Sequence, residues 1–183
     1  MREQRAPQDA RRFVFVDEMG VHCGLTRLFA RAFRGQRAVC AAPRNPGPNI
    51  SVIGALGWDG VRAALSIEGA VDGAVLRVFL DQLLVPQLQA GDVVFMDNLA
   101  THRSAWVREK IEAVGAQLIY LPSYSPDFSP IENCWGKLKT FLRAVAARTR
   151  ETLDQALTQA IETITLQDIE GWFKHCGYEV SRN

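Results

Sequence analysis

FVFVDE, residues 13–18, is the stretch on which the fold turns. Aromatic and β-branched residues follow one another without polar alternation and end in acid, which is the pattern of a short strand buried on both faces. Residues 92–97, DVVFMD, repeat it: an apolar run, then Asp. If these two strands lie parallel and adjacent, Asp17 and Asp97 emerge together at the carboxyl edge of a sheet, where open α/β sheets place their sites. A single strand-end Asp commonly starts a turn or caps a helix. Two matching strands with the same terminal acid are harder to assign to turn chemistry twice. Glu18 points to the opposite face from Asp17 by the period-two rule and is set apart from the pair.

Working outward, residues 50–57 (ISVIGALG) and 61–69 (VRAALSIEG) read as strands around Trp58-Asp59-Gly60, a hairpin signal. Residues 73–88 have helical apolar spacing interrupted late by Pro86, and residues 103–115 form an amphipathic pattern closed by Gly115. Residues 117–122 (QLIYLP) read as a strand stopped by proline. Helices are expected near 130–146, 151–164 and 167–175. The order of three strands, helix, strand, helix, strand and further helices predicts an α/β fold: a mixed sheet of about five strands with helices on its faces. Residues 1–12 are expected to be a polar, loosely held lead-in, and residues 13–183 one domain. Trp172 and Phe173, in the appended C-terminal helices, suit either burial of the sheet or pairing of two subunits.

A chain of 183 residues, 48% apolar, suits one buried core. Its net charge of +1 hides a local imbalance. No acid occurs between Glu18 and Asp59, while Arg27, Arg31, Arg34, Arg37 and Arg44 all fall there, interleaved with Phe29 and Phe33. Such a stretch suits contact with the phosphates of DNA, which positions a duplex without reading its sequence. No membrane-length apolar window and no signal-peptide run is present, so a cytoplasmic protein with reduced thiols is expected. The neighbours His22-Cys23 and His175-Cys176 lack a second ligand pair spaced for zinc. No G-x-S-x-G, phosphate-binding Gly loop or Cys-His pair offers a side-chain nucleophile or nucleotide cradle.

Residues 120–139, YLPSYSPDFSPIENCWGKLK, enter a helix through three prolines. Ser129 reads as N-cap, Pro130 as the first helical residue, and Glu132 as the reciprocal partner in a capping box. Pro122, Pro126 and Pro130 stiffen the approach, which suits delivery of a metal ligand equally well. On spacing alone, Asp127 and Glu132 both remain candidates for a third carboxylate. Trp135, Leu138, Phe141 and Leu142 form a core stripe on that helix, and Lys139 returns to the face of Glu132 whereas Lys137 does not. Acids held close together repel unless a cation sits among them, and an oxygen-only ligand set selects a hard ion, Mg²⁺ or Mn²⁺.

Taken together, FVFVDE, VVFMDNLATHRS and YLPSYSPDFSPIENCWGKLK resemble the three signature blocks of the mariner-like transposase superfamily, in particular its bacterial insertion-sequence branch with a DDE triad. Thirty-four residues separate Asp97 from Glu132, the separation characteristic of that group. The resemblance implies a ribonuclease H-like fold and assigns Asp17, Asp97 and Glu132 as metal-binding acids, leaving Asp127 as a non-ligand. Ser129 stands where the family more often has Asn, and Gly136 where a larger residue is frequent.

What the resemblance further implies is a DNA transposase catalytic domain holding two metal ions roughly 3.5–4 Å apart, cleaving phosphodiesters at element ends and joining them to target DNA. His102 and Arg103 after the second Asp, Lys137 and Lys139 after the third acid, and the arginines 27 to 37 would then face double-stranded DNA. Full-length members carry an N-terminal helix-turn-helix region that is not seen before Asp17, so the chain is expected to be a catalytic half, completed by a fused or separate region and acting as a homodimer on DNA. The competing expectations are another ribonuclease H-like nuclease, or a DNA-binding remnant without turnover.

Overall fold

The computed structural model describes residues 9–98, 104–122 and 126–178. Strands β1 (Phe13–Val21), β2 (Ile50–Gly57), β3 (Gly60–Glu68), β4 (Val93–Met96) and β5 (Gln117–Tyr120) form one mixed sheet in the order β3-β2-β1-β4-β5. The β1–β2 and β2–β3 pairs are antiparallel, and β1–β4 and β4–β5 are parallel. The two apolar runs recognised in the sequence are therefore central neighbours. Their register sets Phe13 opposite Val93, Val14 opposite Val94 and Phe15 opposite Phe95.

Alternation along these strands builds two cores. Phe13, Phe15, Met19, Val52, Leu56, Val93 and Phe95 face one side, covered by helices α3 (Pro130–Val145), α4 (Arg150–Glu162) and α5 (Leu166–His175). Val14, Val16, Ile53, Ala55, Val94 and Met96 face the other, under α1 (Gly73–Val78), its continuation and α2 (Ala105–Glu112). The C-terminal helices thus bury the sheet. Phe173 is wholly inaccessible and meets Phe15 and Trp58 edge-on, at centroid distances of 5.5 and 5.2 Å.

Most helix ends follow from local chemistry. Thr149 and Thr165 cap α4 and α5 through reciprocal hydrogen bonds with Thr152 and Asp168. Gly115 takes a φ of +78° after α2, as its place in the sequence predicts. The segment 73–88 departs from a plain helix. Pro86 cannot donate a backbone N–H, and before it the helix widens into a π turn (Phe79–Leu84), with the Val85 N–H reaching the Leu80 carbonyl, then tightens into a 3₁₀ turn (Val85–Gln87). Residues 10–12 are also ordered, as a 3₁₀ turn capped by Asp9 with Ala10 buried.

A charge cluster pins the amino-terminal edge of the sheet. The register of β2 and β3 shifts between Ala55 and Leu56, leaving Arg62 as the extra residue of a bulge. Its guanidinium reaches Asp92, just before β4, at 2.7 Å, and Asp59 in the hairpin turn at 2.9 Å. Asp92 is 1% exposed, accepts from the Gln89 N–H at 3.0 Å and lies 3.6 Å from Arg12. Gly57 makes room: a Cβ there would stand 2.6 Å from Arg62 Nε. Removing one partner of a buried pair leaves the other charge uncompensated. In urea unfolding, Asp92→Ala is expected to lose about 3–5 kcal/mol. Asp59→Ala, whose carboxylate is exposed, should lose no more than about 1 kcal/mol.

Candidate active site

The strand order reverses direction between β1 and β4: the chain runs outward through β2 and β3 on one side, then through β5 on the other. A crevice at the carboxyl edge belongs at such a switch point. Asp17 lies on β1, and the register that pairs Phe13 with Val93 brings Asp97, the residue after β4, level with it. Both follow the α3-facing set, Phe13 and Phe15 on β1 and Val93 and Phe95 on β4. Glu18 belongs to the other alternation, as expected.

α3 lies across β1 and supplies the third acid from its first turn. Glu132 is exposed, and its carboxylate makes no hydrogen bond or ion pair with any described residue. The capping box expected there does not form. Ser129 is the N-cap, but its side chain makes no cap hydrogen bond, and only its carbonyl bonds the Glu132 N–H, at 3.1 Å. Pro130 is the first helical residue, as expected, but the Glu132 carboxylate is not turned back onto the Ser129 N–H.

Electrostatics shows which acids act on one another. The Asp17 carboxyl is raised to about 6, first by burial, then by the negative charges of Glu132 and Asp97; hydrogen bonds from the Glu18 backbone and the Trp135 side chain oppose the rise. Asp127, on the 3₁₀ turn Pro126–Phe128, acts instead on the Cys176 thiol, which it helps to push up. Among the described residues, no three His, Cys, Asp or Glu side chains crowd closely enough to form a finished metal cage. Asp17, Asp97 and Glu132 nevertheless fit a hard divalent cation in donor type and charge: they offer only oxygens, and two of them destabilise the ionised form of the third. Burial pushes the Cys134 thiol up to about 12, so it supplies no thiolate at neutral pH.

One neighbour of the acids escaped the sequence reading. Trp135, expected only in the core stripe, is indeed 3% exposed, but its Nε1 donates to Asp17 Oδ2 at 2.9 Å. A buried indole N–H needs an acceptor, and a Trp three residues after Glu132 on the same helix was the available signal.

The basic residues divide. Arg27, Arg31, Arg34 and Arg37 are exposed on the segment 22–49 between β1 and β2, which contains neither helix nor strand. Leu28, Phe29, Phe33 and Val39 on it are 66–89% exposed. Its root is held by Arg148, which donates to the carbonyls of Cys23 and Leu25 at 2.9 Å each. Arg27 and Phe29 border an open cleft of about 280 Å³ against Thr140 and Arg143 of α3. Lys139, partly buried on α3, has no ion-pair partner among the described residues. Lys137 is committed within the protein, donating to the Thr163 carbonyl at 2.8 Å and pairing with Asp168, whose carboxyl it draws down to about 2. His102 and Arg103 lie outside the described residues.

A profile of the family described as DDE superfamily endonuclease matches residues 12–154. Among solved structures, a pre-cleavage Mos1 transpososome superposes with a TM-score of 0.69 at 18% identity, over 93% of this chain and 56% of that one. The Mos1 mariner paired end complex with Mn gives 0.69 at 19% identity, over 91% and 53%. The catalytic domain of Mos1 mariner transposase gives 0.59 at 16% identity, over 92% and 82%. The chain thus spans little more than half the length of the first two. At these identities the likeness shows the fold, a ribonuclease H-like sheet with flanking helices. No curated protein sequence matches the chain significantly.

A carboxyl raised on folding binds its proton more tightly in the folded than in the unfolded chain. Its favourable contribution is complete below the unfolded value of 3.8 and is lost as pH rises through about 6. Asp17→Asn is therefore expected to stabilise the chelator-treated protein at pH 7.5 by about 1–3 kcal/mol, a gain that vanishes towards pH 4 in paired thermal melts.

Proposed function

We propose, from the premise that this chain belongs to the DDE superfamily endonuclease family, that it is the catalytic part of a divalent-metal-dependent DNA transposase. Its substrates are DNA phosphodiesters at the ends of a mobile element, cleaved and then joined to target DNA. The observation that carries this reading is the convergence of Asp17, Asp97 and Glu132 from three separate elements at the β1/β4 switch point, where two of the acids act on the third.

Asp17, Asp97 and Glu132 would hold Mg²⁺ or Mn²⁺, two ions in all, and the Mos1 mariner complex with Mn supports that choice. Bound metal supplies Lewis acidity to the attacking and leaving oxygens of an in-line displacement. The chain's own acids position and balance that charge; a protein nucleophile is not required. Arg27, Arg31, Arg34 and Arg37, with Lys139, supply phosphate contacts, and His102 and Arg103 extend them. Lys137 takes no phosphate in this reading, because Asp168 holds its ammonium. The partner is double-stranded DNA, as the transpososome likeness supports. The reading extends to a fused or separate helix-turn-helix region that recognises element ends, to two copies in the DNA complex, to the bacterial insertion-sequence branch on the wording of residues 120–139, and to a cytoplasmic location. No helix among the described residues is long and apolar enough to cross a membrane.

Calorimetry with Mn²⁺ tests the site without relying on turnover. Saturable binding by the wild-type chain, reduced at least tenfold in Asp97→Asn with the circular dichroism unchanged, is the expected result. Equal binding by both would remove Asp97 from the ligand set. Affinity should also rise as pH passes through about 6, because the Asp17 proton competes with the metal. For DNA, replacing Arg31 and Arg34 together by Ala should weaken binding to any duplex and reduce the slope of log K against log salt by roughly 2, about 0.9 per lost phosphate contact. An unchanged slope would place DNA elsewhere.

A further inference from the structure

On the α3-facing side of the sheet, β2 presents Val52 and Leu56 with Gly54 between them, and Gly54 is the register partner of Asp17 on β1. The missing side chain leaves a notch beside the acid, and the Trp135 indole fills it. A Cβ on Gly54 would stand 2.6 Å from Trp135 Cη2 and 3.4 Å from Cζ2, so the ring occupies the space any larger residue would need. Seated there, the ring aims Nε1 at Asp17 Oδ2, 2.9 Å away. Leu138 and Leu142, one and two turns on, are buried against the same face and hold the helix that carries the ring.

We infer that Trp135, seated in the Gly54 notch, is a positioning residue that fixes the orientation of the Asp17 carboxylate for divalent-metal binding. This rests on the carboxylate-site reading above. The indole N–H occupies Oδ2 from the α3 side and the Glu18 backbone N–H also donates to the carboxylate, which leaves the remaining oxygen lone pairs for the metal. The geometry is that of an outer partner holding a ligand: Trp135 touches the ligating acid and contributes no ligand of its own, since an indole N–H donates and cannot coordinate. Gly136, the next residue, is exposed with open space around it, so α3 presents a bare surface on one side and the anchoring ring on the other. Glu132 and Trp135 lie on one helix, so the notch that seats the ring also sets the height at which Glu132 meets Asp17.

The test compares three single variants of the full chain by Mn²⁺ calorimetry and urea unfolding, with the indole N–H resonances followed by ¹H–¹⁵N NMR. Trp135→Phe keeps an aromatic ring and removes the donor; its Mn²⁺ affinity is expected to fall about 10–100-fold. Leu138→Ala removes packing from the same helix without touching Asp17; it should lose stability and keep its Mn²⁺ affinity. Asp17→Asn in the metal-free chain should shift one indole resonance, the one absent from Trp135→Phe. Gly54→Ala gives a fourth, more disruptive check, because it displaces the ring while leaving its N–H intact; where it folds, its affinity should match that of Trp135→Phe. Wild-type affinity in Trp135→Phe overturns the positioning role and leaves the carboxylate site standing, provided Asp97→Asn has lost binding. Equal losses in Trp135→Phe and Leu138→Ala reduce Trp135 to packing and overturn the role as well. A wild-type chain that binds no Mn²⁺, with or without DNA, removes the carboxylate reading and this inference with it.

Discussion

Hydrogen bonding between β1 and β4, with Phe13 opposite Val93 and Phe15 opposite Phe95, determines which residues meet at the carboxyl edge of the sheet. Every functional feature inherits its position from that pairing. Parallel neighbours at the centre of a sheet must be covered on both faces, which is why their paired stretches, residues 13–16 and 93–96, are unbroken apolar runs and why helices from two parts of the chain pack over them. The first polar position after each run is an acid, and the alternation that sends Phe15 and Phe95 beneath α3 places Asp17 and Asp97 on the same side.

The resulting edge is electrostatically unfavourable for the metal-free chain. Burial and two neighbouring acids raise the Asp17 carboxyl, and only the Glu18 backbone and the Trp135 indole oppose the rise. Stability comes from elsewhere: two packed cores, and at the far end of the sheet the Asp92 cluster, where opposite charges are matched. The two ends thus follow opposite rules. Three acids act on one another at the carboxyl edge, and an acid with two arginines sits where the strands begin.

The central strands, the hairpin and the C-terminal helices were legible because each depends on short-range patterns: unbroken apolar runs, an Asp-Gly turn and 3.6-residue spacing. Features resting on contacts between distant segments were not. A capping box at Ser129 is good local chemistry, yet it does not form at this buried N-cap. Trp135 looked like core and is core, but its acceptor lies 118 residues earlier in the chain, beyond any helical period. Helical period set Lys137 apart from the face of Glu132 but could not show that Asp168 of α5 folds against its ammonium. The π turn before Pro86 lay between these cases: the proline announced an interruption, and packing of Phe79, Leu80 and Leu84 beneath the sheet chose its form.

The register of β1 also sets where the chain tolerates changes in length. Residues 22–49 leave β1 and return to β2 over an irregular, exposed path rooted at Arg148, and lengthening such a path costs only the slow logarithmic growth of loop entropy. Between Arg12 and Asp17 the opposite holds. Arg12 and Ala10 anchor the strand's start, so deleting one residue from 13–16 would shift the strand by half a pleat and carry the acid's side chain to the face under α1 and α2. Descendants of this chain can therefore vary freely in the length of the basic segment, while four residues of β1 admit neither gain nor loss.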